Sequence, residues 1–114
     1  MRIVVTGMGI VSPIGAGIDQ FWNAAIRGTS GISDIQCFDA SGLRSRIAGQ
    51  ITGFNPAIFL TAKQLEQTDR FTQLALCAAN QALADAGGLE SYEPRRLAVS
   101  LGSGMGGFST FESS

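Results

Sequence analysis

The chain opens with an apolar, β-branched run at residues 3–6, which two closely spaced glycines, Gly7 and Gly9, follow. Because β-branched side chains pack well on a pleated surface, this run predicts a buried β-strand close to the N-terminus. Glycines inside a strand indicate a bulge or the close approach of another backbone or a ligand. The run resumes at residues 10–11, and Pro13 is expected to end the strand because proline has no amide hydrogen for a ladder bond.

Three stretches carry helical signals. Residues 18–27 place apolar side chains at i, i+3, i+4, i+7 and i+8, and Gly28 follows where a helix-ending glycine belongs. Residues 61–67 open with a capping-box pattern, a threonine followed three residues later by a glutamine. The strongest signal spans residues 68–86, and a glycine pair at residues 87–88 ends it. Its apolar side chains occupy more than one face, so we expect this helix to be buried nearly all round.

The remaining signals predict strands and a loop. Residues 46–51 predict a short strand, and residues 29–42 predict a loop because turn-forming residues dominate them. Residues 97–101 predict a second buried strand that leads into the glycine-rich loop, residues 102–107. Alternation of strands with helices is typical of an α/β fold with a mainly parallel sheet and right-handed crossovers. Since a parallel sheet needs both faces covered, the predicted architecture is incomplete by itself.

Composition excludes several functions. A chain of 114 residues is one domain at most, and its formal net charge of −1 provides no basic footprint for nucleic acid. No apolar run is long enough to span a membrane, and no signal peptide precedes the first predicted strand. We therefore expect a soluble cytoplasmic protein. Fifteen glycines and few charged residues also suggest a piece that other protein normally covers.

The chain contains no histidine, so it has no imidazole to bind a metal or to act as a general base. Cys37 and Cys77 are too few and too far apart for a disulfide scaffold or a zinc site, and no metal site is expected. Each cysteine is also a candidate nucleophile. Cys77 lies mid-helix among alanines and leucines, which favours a buried, inert thiol. Cys37 has no basic or imidazole neighbour in the sequence to activate it.

Three motifs leave alternatives open. Residues 7–12 nearly match a dinucleotide fingerprint, but a serine replaces the third glycine and a proline follows. The glycine-rich loop either cradles a phosphate through its amides or forms a tight turn packed against a neighbour. It lacks the lysine of a P-loop. Arg44 and Arg46 form either an anion clamp or, as we favour, a solvated edge or a structural ion pair.

Several short motifs stand in a fixed order along the chain, at residues 4–15, 21–22, 28–32, 38–39, 48–49, 69–71, 82–87 and 102–107. Each is weak alone, but in register they resemble the N-terminal part of an elongating, decarboxylating β-ketoacyl-acyl carrier protein synthase. The resemblance covers essentially the whole chain. It implies a thiolase-like fold, in which two duplicated α/β halves form α-β-α-β-α layers and the subunits assemble as dimers.

The resemblance also implies an activity for the whole subunit. Such enzymes load an acyl group from acyl carrier protein onto a cysteine, decarboxylate a malonyl thioester and condense the two, without a cofactor. The family's cysteine follows a Thr-Ala-Cys turn, with two histidines and a lysine later, and neither Cys37 nor Cys77 lies in such a motif. Residues 1–114 are therefore expected to be an incomplete synthase domain that ends before the nucleophile, has no catalytic residue and is inactive alone.

Binding residues carry over from the family at few positions. Met105, with its neighbours Gly104 and Phe108, is expected to line the acyl pocket near the dimer interface, where a flexible thioether admits chains of varied length. Lys63 is expected to contact the acidic carrier protein. Glu66 has the wrong sign for that contact, which points to a polyketide-type or chain-length-factor-like relative.

The expected partners are acyl carrier protein and the rest of the ketosynthase subunit, on the same or a separate chain. The assembly is expected to be a homodimer or a ketosynthase heterodimer. One alternative is a non-catalytic partner, a split or chain-length-factor-like half that only shapes another subunit's pocket. A second alternative is a small nucleotide-binding α/β domain.

Overall fold

Two pairs of short strands lie on either side of a first helix in the sequence, and three further helices follow them. The computed structural model describes residues 1–113, apart from the side chain of Ser109; Ser114, the last residue of the predicted segment, lies outside the described residues. The elements are β1 (Val11–Ser12), β2 (Gly15–Ala16), α1 (Ile18–Ile26), β3 (Ile32–Asp34), β4 (Ile47–Gly49), α2 (Ala62–Gln67), α3 (Arg70–Asp85) and α4 (Phe108–Ser113), with 3₁₀ turns at Pro56–Ile58 and Pro94–Arg96.

Contacts divide these elements into two compact units, although the length of the chain suggests one domain at most. The hairpin unit comprises Ile10–Asn55 and contains all four strands and α1. The helical unit comprises Met1–Gly9 together with Pro56–Ser114 and contains α2, α3 and α4.

In the hairpin unit, β1 and β2 pair antiparallel through a tight turn. Ser12 lies opposite Gly15, and Pro13 occupies the turn, where its missing amide hydrogen removes no ladder bond. The Ser12 hydroxyl donates to the Gly15 carbonyl at 3.0 Å and accepts from the Ile14 amide at 3.3 Å. β1 ends directly before Pro13, as predicted, although it begins only at Val11 and the predicted strand began at residue 3.

The second pair of strands, β3 and β4, is also antiparallel, with Ile32 opposite Gly49. The side-chain amide of Gln50 forms hydrogen bonds through both its oxygen and its nitrogen, to the end of β3 and to the residues that follow it. Its Oε1 accepts from the Gln36 amide at 2.9 Å, and its Nε2 donates to the Asp34 carbonyl at 3.0 Å. The short strand predicted near β4 is confirmed.

Helix α1 agrees with its sequence signal at both ends. It begins after Gly17 and ends at Ile26, and Gly28 has a φ of 68°, in the left-handed region that favours glycine. The Thr29 amide donates to the Ala24 carbonyl at 2.9 Å, which closes the last turn. The predicted helix over residues 18–27 is therefore confirmed to within one residue.

The predicted parallel sheet is wrong, because both strand pairs among residues 1–113 are antiparallel. A parallel pair needs a crossover of about a dozen or more residues, whereas two residues join β1 to β2. The predicted loop at residues 29–42 is also partly wrong, since it contains β3. Turn-forming residues surround β3, and they hid its extended backbone from the sequence pattern.

The predicted buried strands at residues 3–6 and 97–101 are not strands in this structure. Ile3 is 85% exposed and Val99 is 87% exposed. A strand needs a neighbour that accepts and donates its ladder hydrogen bonds, and no described segment pairs with either stretch. The propensity of these residues is strand-like, but the chain supplies no partner.

In the helical unit, the capping box that opens α2 is confirmed. The Thr61 amide donates to Gln64 Oε1 at 2.9 Å, and the Gln64 amide donates to Thr61 Oγ1 at 3.3 Å. The predicted end of α3 is confirmed as well, because Gly87 and Gly88 have φ angles of 80° and 86°.

The N-terminal segment of the helical unit packs directly on α3. A Cβ atom on Gly7 would lie 2.2 Å from the Ala82 carbonyl oxygen, and one on Gly9 would lie 2.0 Å from the Ala78 carbonyl oxygen. The Met8 amide donates to Asp85 Oδ2 at 2.9 Å between these two contacts. The glycines therefore provide a close approach of two backbones, one of the two meanings predicted for them.

The core of the helical unit is small and lies on one side of α3. Cys77 is fully buried, and Leu60 is buried beside the start of α2. The expectation that α3 is buried nearly all round is wrong, because Phe71 and Leu83 are exposed. The described segments cover only one face of this helix. No helix among residues 1–113 combines the length and the apolar character needed to cross a membrane.

Candidate functional site

The glycine-rich loop presents an exposed apolar surface in the helical unit. Met105 is 77% exposed, and Phe108, at the start of α4, is also exposed. A Cβ on Gly104 would meet nothing within 4 Å. The three residues predicted to line a pocket are thus consecutive or nearly so, and their apolar atoms are available to a ligand or to another protein surface.

The loop is braced where it meets the first turn of α3. A Cβ on Gly106 would lie 2.5 Å from Phe71 Cε2 and 2.7 Å from Cδ2, so only a hydrogen atom fits between the loop backbone and this ring. Gly107 has a φ of 73°, and a Cβ there would lie 3.1 Å from Asp69 Oδ2. Residue 107 therefore favours glycine for two reasons: its backbone is left-handed, and the Asp69 carboxylate leaves little room for a side chain.

Asp69 binds the segment after the loop instead of its own helix. It is the N-cap residue of α3, yet its side chain caps no α3 amide. Its Oδ1 accepts a hydrogen bond from Thr110 Oγ1, in the first turn of α4. The Phe111 amide donates to the Gly107 carbonyl at 3.0 Å. Residues 106–110 therefore meet the start of α3 at two points, Gly106 at Phe71 and Thr110 at Asp69.

This arrangement disfavours the phosphate cradle considered for the glycine-rich loop. The Asp69 carboxylate lies against Gly107, and a negative charge at that position repels an anion. The dinucleotide fingerprint at residues 7–12 also fails. Gly7 and Gly9 face the carbonyls of the second half of α3, where a nucleotide has neither room nor the N-terminus of a helix.

Lys63 lies on α2, at the second position after its N-cap Thr61, and it is exposed. Within residues 1–113, no hydrogen bond or ion pair holds its ammonium group. Glu66 is exposed on the same helix. No hydrogen bond or ion pair among the described residues connects Lys63 to the glycine-rich loop.

The two cysteines are not activated nucleophiles in this structure. Cys77 is fully buried in α3, and its desolvation raises the pKa of its thiol against a smaller opposing effect of Arg70. Its thiol lies 4.0 Å from the Pro56 carbonyl oxygen. Cys37 is exposed, and its thiol donates to Gln50 Oε1 at 3.0 Å, an amide that cannot take the proton.

The remaining candidate groups show no convergence on a ligand. The Arg46 Nε donates to the Leu43 carbonyl at 3.3 Å, a hydrogen bond that stabilises the turn before β4. Within the described residues, no group of three or more histidine, cysteine, aspartate or glutamate side chains is placed to hold a metal ion.

Sequence reasoning missed the roles of Asp69 and Phe71. Asp69 reads in the sequence as an acidic residue at a helix start, which is favourable in any helix. Phe71 reads as one more apolar residue of α3. Their contacts reach Gly106 and Thr110, and Thr110 is 41 positions from Asp69. No local pattern carries that information.

The chain resembles proteins of known type along its whole length. Residues 1–114 match the family model described as the beta-ketoacyl synthase, N-terminal domain. The 3-oxoacyl-[acyl-carrier-protein] synthase 2 of Coxiella burnetii is 42% identical over 113 residues, which are 97% of this chain and 27% of that protein. The tetracenomycin polyketide synthase ketoacyl synthase beta subunit of Streptomyces glaucescens is 47% identical over 107 residues, which are 93% of this chain and 26% of that protein.

Among solved structures, one described as the ishigamide ketosynthase/chain length factor superposes with a TM-score of 0.68 at 33% sequence identity. The superposition covers 74% of this chain and 21% of that one. The chain spans about a quarter of the length of the curated relatives it matches.

Proposed function

Because the chain belongs to the β-ketoacyl synthase family, whose N-terminal domain it matches over residues 1–114, we propose that its protein elongates acyl chains by decarboxylative condensation. The reaction joins the carbonyl carbon of an acyl group, held as a thioester, to the methylene carbon of a malonyl thioester. The acyl C–S bond and the malonyl C–carboxylate bond break, which releases carbon dioxide and a thiolate and leaves a β-ketoacyl thioester. The thiolate then takes up a proton.

The role of this chain in that reaction is to bind the acyl group. The observation that carries this role is the glycine-rich loop, which presents Met105 outward on a backbone braced against α3. An acyl chain is recognised by apolar contact alone, and a thioether adapts to chains of different length. Phe108 extends the same apolar surface. Cys37 and Cys77 are not placed as the acyl acceptor, so the nucleophile is supplied from outside residues 1–113.

The proposed fold of the whole subunit is the layered thiolase-like α-β-α-β-α architecture. Its support is the superposition on the ishigamide ketosynthase/chain length factor structure. The exposed segments at residues 3–6 and 97–101 fit this proposal, since both are rich in strand-forming side chains. In a complete subunit they would gain neighbouring strands and a covering layer.

The experiment that tests the activity uses the purified full-length protein. It is mixed with acyl carrier protein carrying an acyl group and with malonyl carrier protein labelled in its free carboxyl group. We expect a β-ketoacyl product and labelled carbon dioxide in equal amounts. Absence of both, with the protein alone and with a co-purified ketosynthase, would refute the proposal.

A second candidate function is that of a non-catalytic partner that shapes the pocket of another ketosynthase. It is favoured by 47% identity to a ketoacyl synthase beta subunit, and by Glu66, whose charge opposes an acidic carrier protein. The same assay separates the two functions. Condensation by the protein alone supports the enzyme, whereas condensation only after a ketosynthase is added supports the partner.

Lys63 is the proposed contact with acyl carrier protein on α2. Exchanging Lys63 for alanine is expected to raise the KM for the carrier-bound substrate about twofold to fivefold at low salt, with kcat unchanged, because an exposed ion pair contributes up to about 1 kcal/mol. Lys63→Arg is the matched control and should keep the KM. The difference should shrink as salt screens the charges. An unchanged KM for Lys63→Ala at low salt would exclude this contact.

A further inference from the structure

The N-cap residue of α3, Asp69, does not cap its own helix with its side chain. An aspartate at the N-cap normally accepts a hydrogen bond from an amide of its own helix. Asp69 has the required position, with φ of −73° and ψ of 162°, but its side chain makes no such bond. Its carboxylate instead accepts from the Thr110 hydroxyl. The Asp69 carboxylate thus binds the first turn of α4 instead of an amide of α3.

Phe71, two residues after Asp69 and in the first turn of α3, packs its ring against the glycine-rich loop at Gly106. The ring carbons lie 2.5–2.8 Å from the position a Gly106 Cβ would take. On the N-terminal side of Met105 the space around the loop is open, since a Cβ on Gly102 or Gly104 would meet nothing within 4 Å. The position of Met105 therefore depends on contacts that follow it in sequence.

We propose that Asp69 and Phe71 are positioning residues that set which acyl-chain lengths are accepted, by fixing the glycine-rich loop that carries Met105. This inference rests on the proposed acyl-binding function. Asp69 determines where α4 begins, through Thr110 and Gly107, and Phe71 determines how close the loop lies to α3. Neither residue needs to touch the acyl chain, since a shift of the loop moves the Met105 thioether toward or away from it.

The test compares kcat/KM for long and short acyl groups in the full-length protein, alone or with the ketosynthase it requires. Thr110→Val removes the hydroxyl that Asp69 accepts from while keeping the shape of the side chain. Phe71→Ala removes the ring against which Gly106 packs. For each, we expect the long-to-short ratio to change about tenfold, which corresponds to ~1.4 kcal/mol of differential binding in the transition state.

Matched variants separate positioning from general damage. Thr110→Ser keeps the hydroxyl and should restore the ratio of the native protein. Thr72→Val makes the same chemical change within the first turn of α3, away from the Asp69–Thr110 bond, and should leave the ratio unchanged. If Phe71→Ala does not fold, Thr110→Val still decides the matter, because it alters a single exposed hydroxyl.

Each outcome has one meaning. A changed ratio in Thr110→Val that Thr110→Ser restores supports the inference. An equal loss of kcat/KM for long and short groups, or an unchanged ratio, overturns it and leaves a merely structural contact. Met105→Trp is measured in parallel. If that variant also leaves the ratio unchanged, the acyl-binding role of the loop fails, which is distinct from failure of the positioning role alone.

Discussion

Replacing Gly9 with alanine is expected to lower the free energy of unfolding by at least about 3 kcal/mol, at or beyond the upper end of the usual range for overpacking. The added Cβ would lie 2.0 Å from the Ala78 carbonyl oxygen and 2.7 Å from the Ala82 amide nitrogen. Both atoms belong to the backbone of α3, so no side-chain rotation relieves the collision. The N-terminal segment must instead move off the helix, and its hydrogen bond from Met8 to Asp85 is lost.

Denaturant unfolding of the full-length protein measures this effect, with Gly42→Ala as the matched control. A Cβ on Gly42 meets nothing within 4 Å, and its φ is not in the left-handed region. That control should unfold within about 0.5 kcal/mol of the native protein or be slightly more stable. A Gly9→Ala protein as stable as the control would show that residues 7–9 do not pack on α3 as described.

Exchanging Met105 for tryptophan is expected to lower kcat/KM about a hundredfold for a long acyl group and less than about threefold for an acetyl group. A flexible thioether yields to a bound chain, whereas an indole is rigid and larger. A misfit of one methylene in an apolar pocket already costs ~1–3 kcal/mol, and the indole displaces several. The braced loop increases the effect, because Gly106 on Phe71 leaves the backbone little freedom to retreat.

The measurement is a series of acyl substrates of increasing length with the full-length protein. Met105→Leu conserves volume and should give a profile close to that of the native protein. A tryptophan variant that loses activity equally for every length would mean that Met105 supports the loop and does not line the acyl site. A profile unchanged at all lengths would remove the residue from the pocket altogether.

Signals confined to a few neighbouring residues predicted their structures well. Gly28 and Gly87 stand at positive φ after α1 and α3, and the Thr61–Gln64 pair makes both bonds of a capping box. Each of these features depends only on backbone conformation within one turn. For that reason the surrounding sequence contains all the information needed to predict it.

Strands and buried faces were predicted less well because they depend on neighbours. Residues 3–6 and 97–101 have the side chains of strands, but no described segment pairs with them. Strand propensity measures how a residue fits a packed, pleated surface and cannot supply that surface. The same reasoning applies to α3, whose apolar residues exceed what one small unit covers.

The candidate site shows a similar division. Met105, Gly104, Phe108 and Lys63 were identified through the family resemblance, and their binding roles stay predictions. Asp69 and Phe71 were not identified as part of the site, because their contacts with Thr110 and Gly106 join distant parts of the chain. A helix-start aspartate is common, and only the three-dimensional structure reveals that its carboxylate binds elsewhere.

The docking of the N-terminal segment on α3 has a consequence for how the protein is made. Met8 and Asp85 are 77 positions apart, and Asp85 is the last residue of α3, so the ribosome must synthesise the whole helix before this hydrogen bond can form. Contacts between such distant residues form late, since a long loop must close first. During that interval residues 7–9 have no α3 backbone to pack on, and the segment stays open to chaperones and to other nascent chains. We expect the rate of synthesis of residues 10–85 to influence the yield of folded protein.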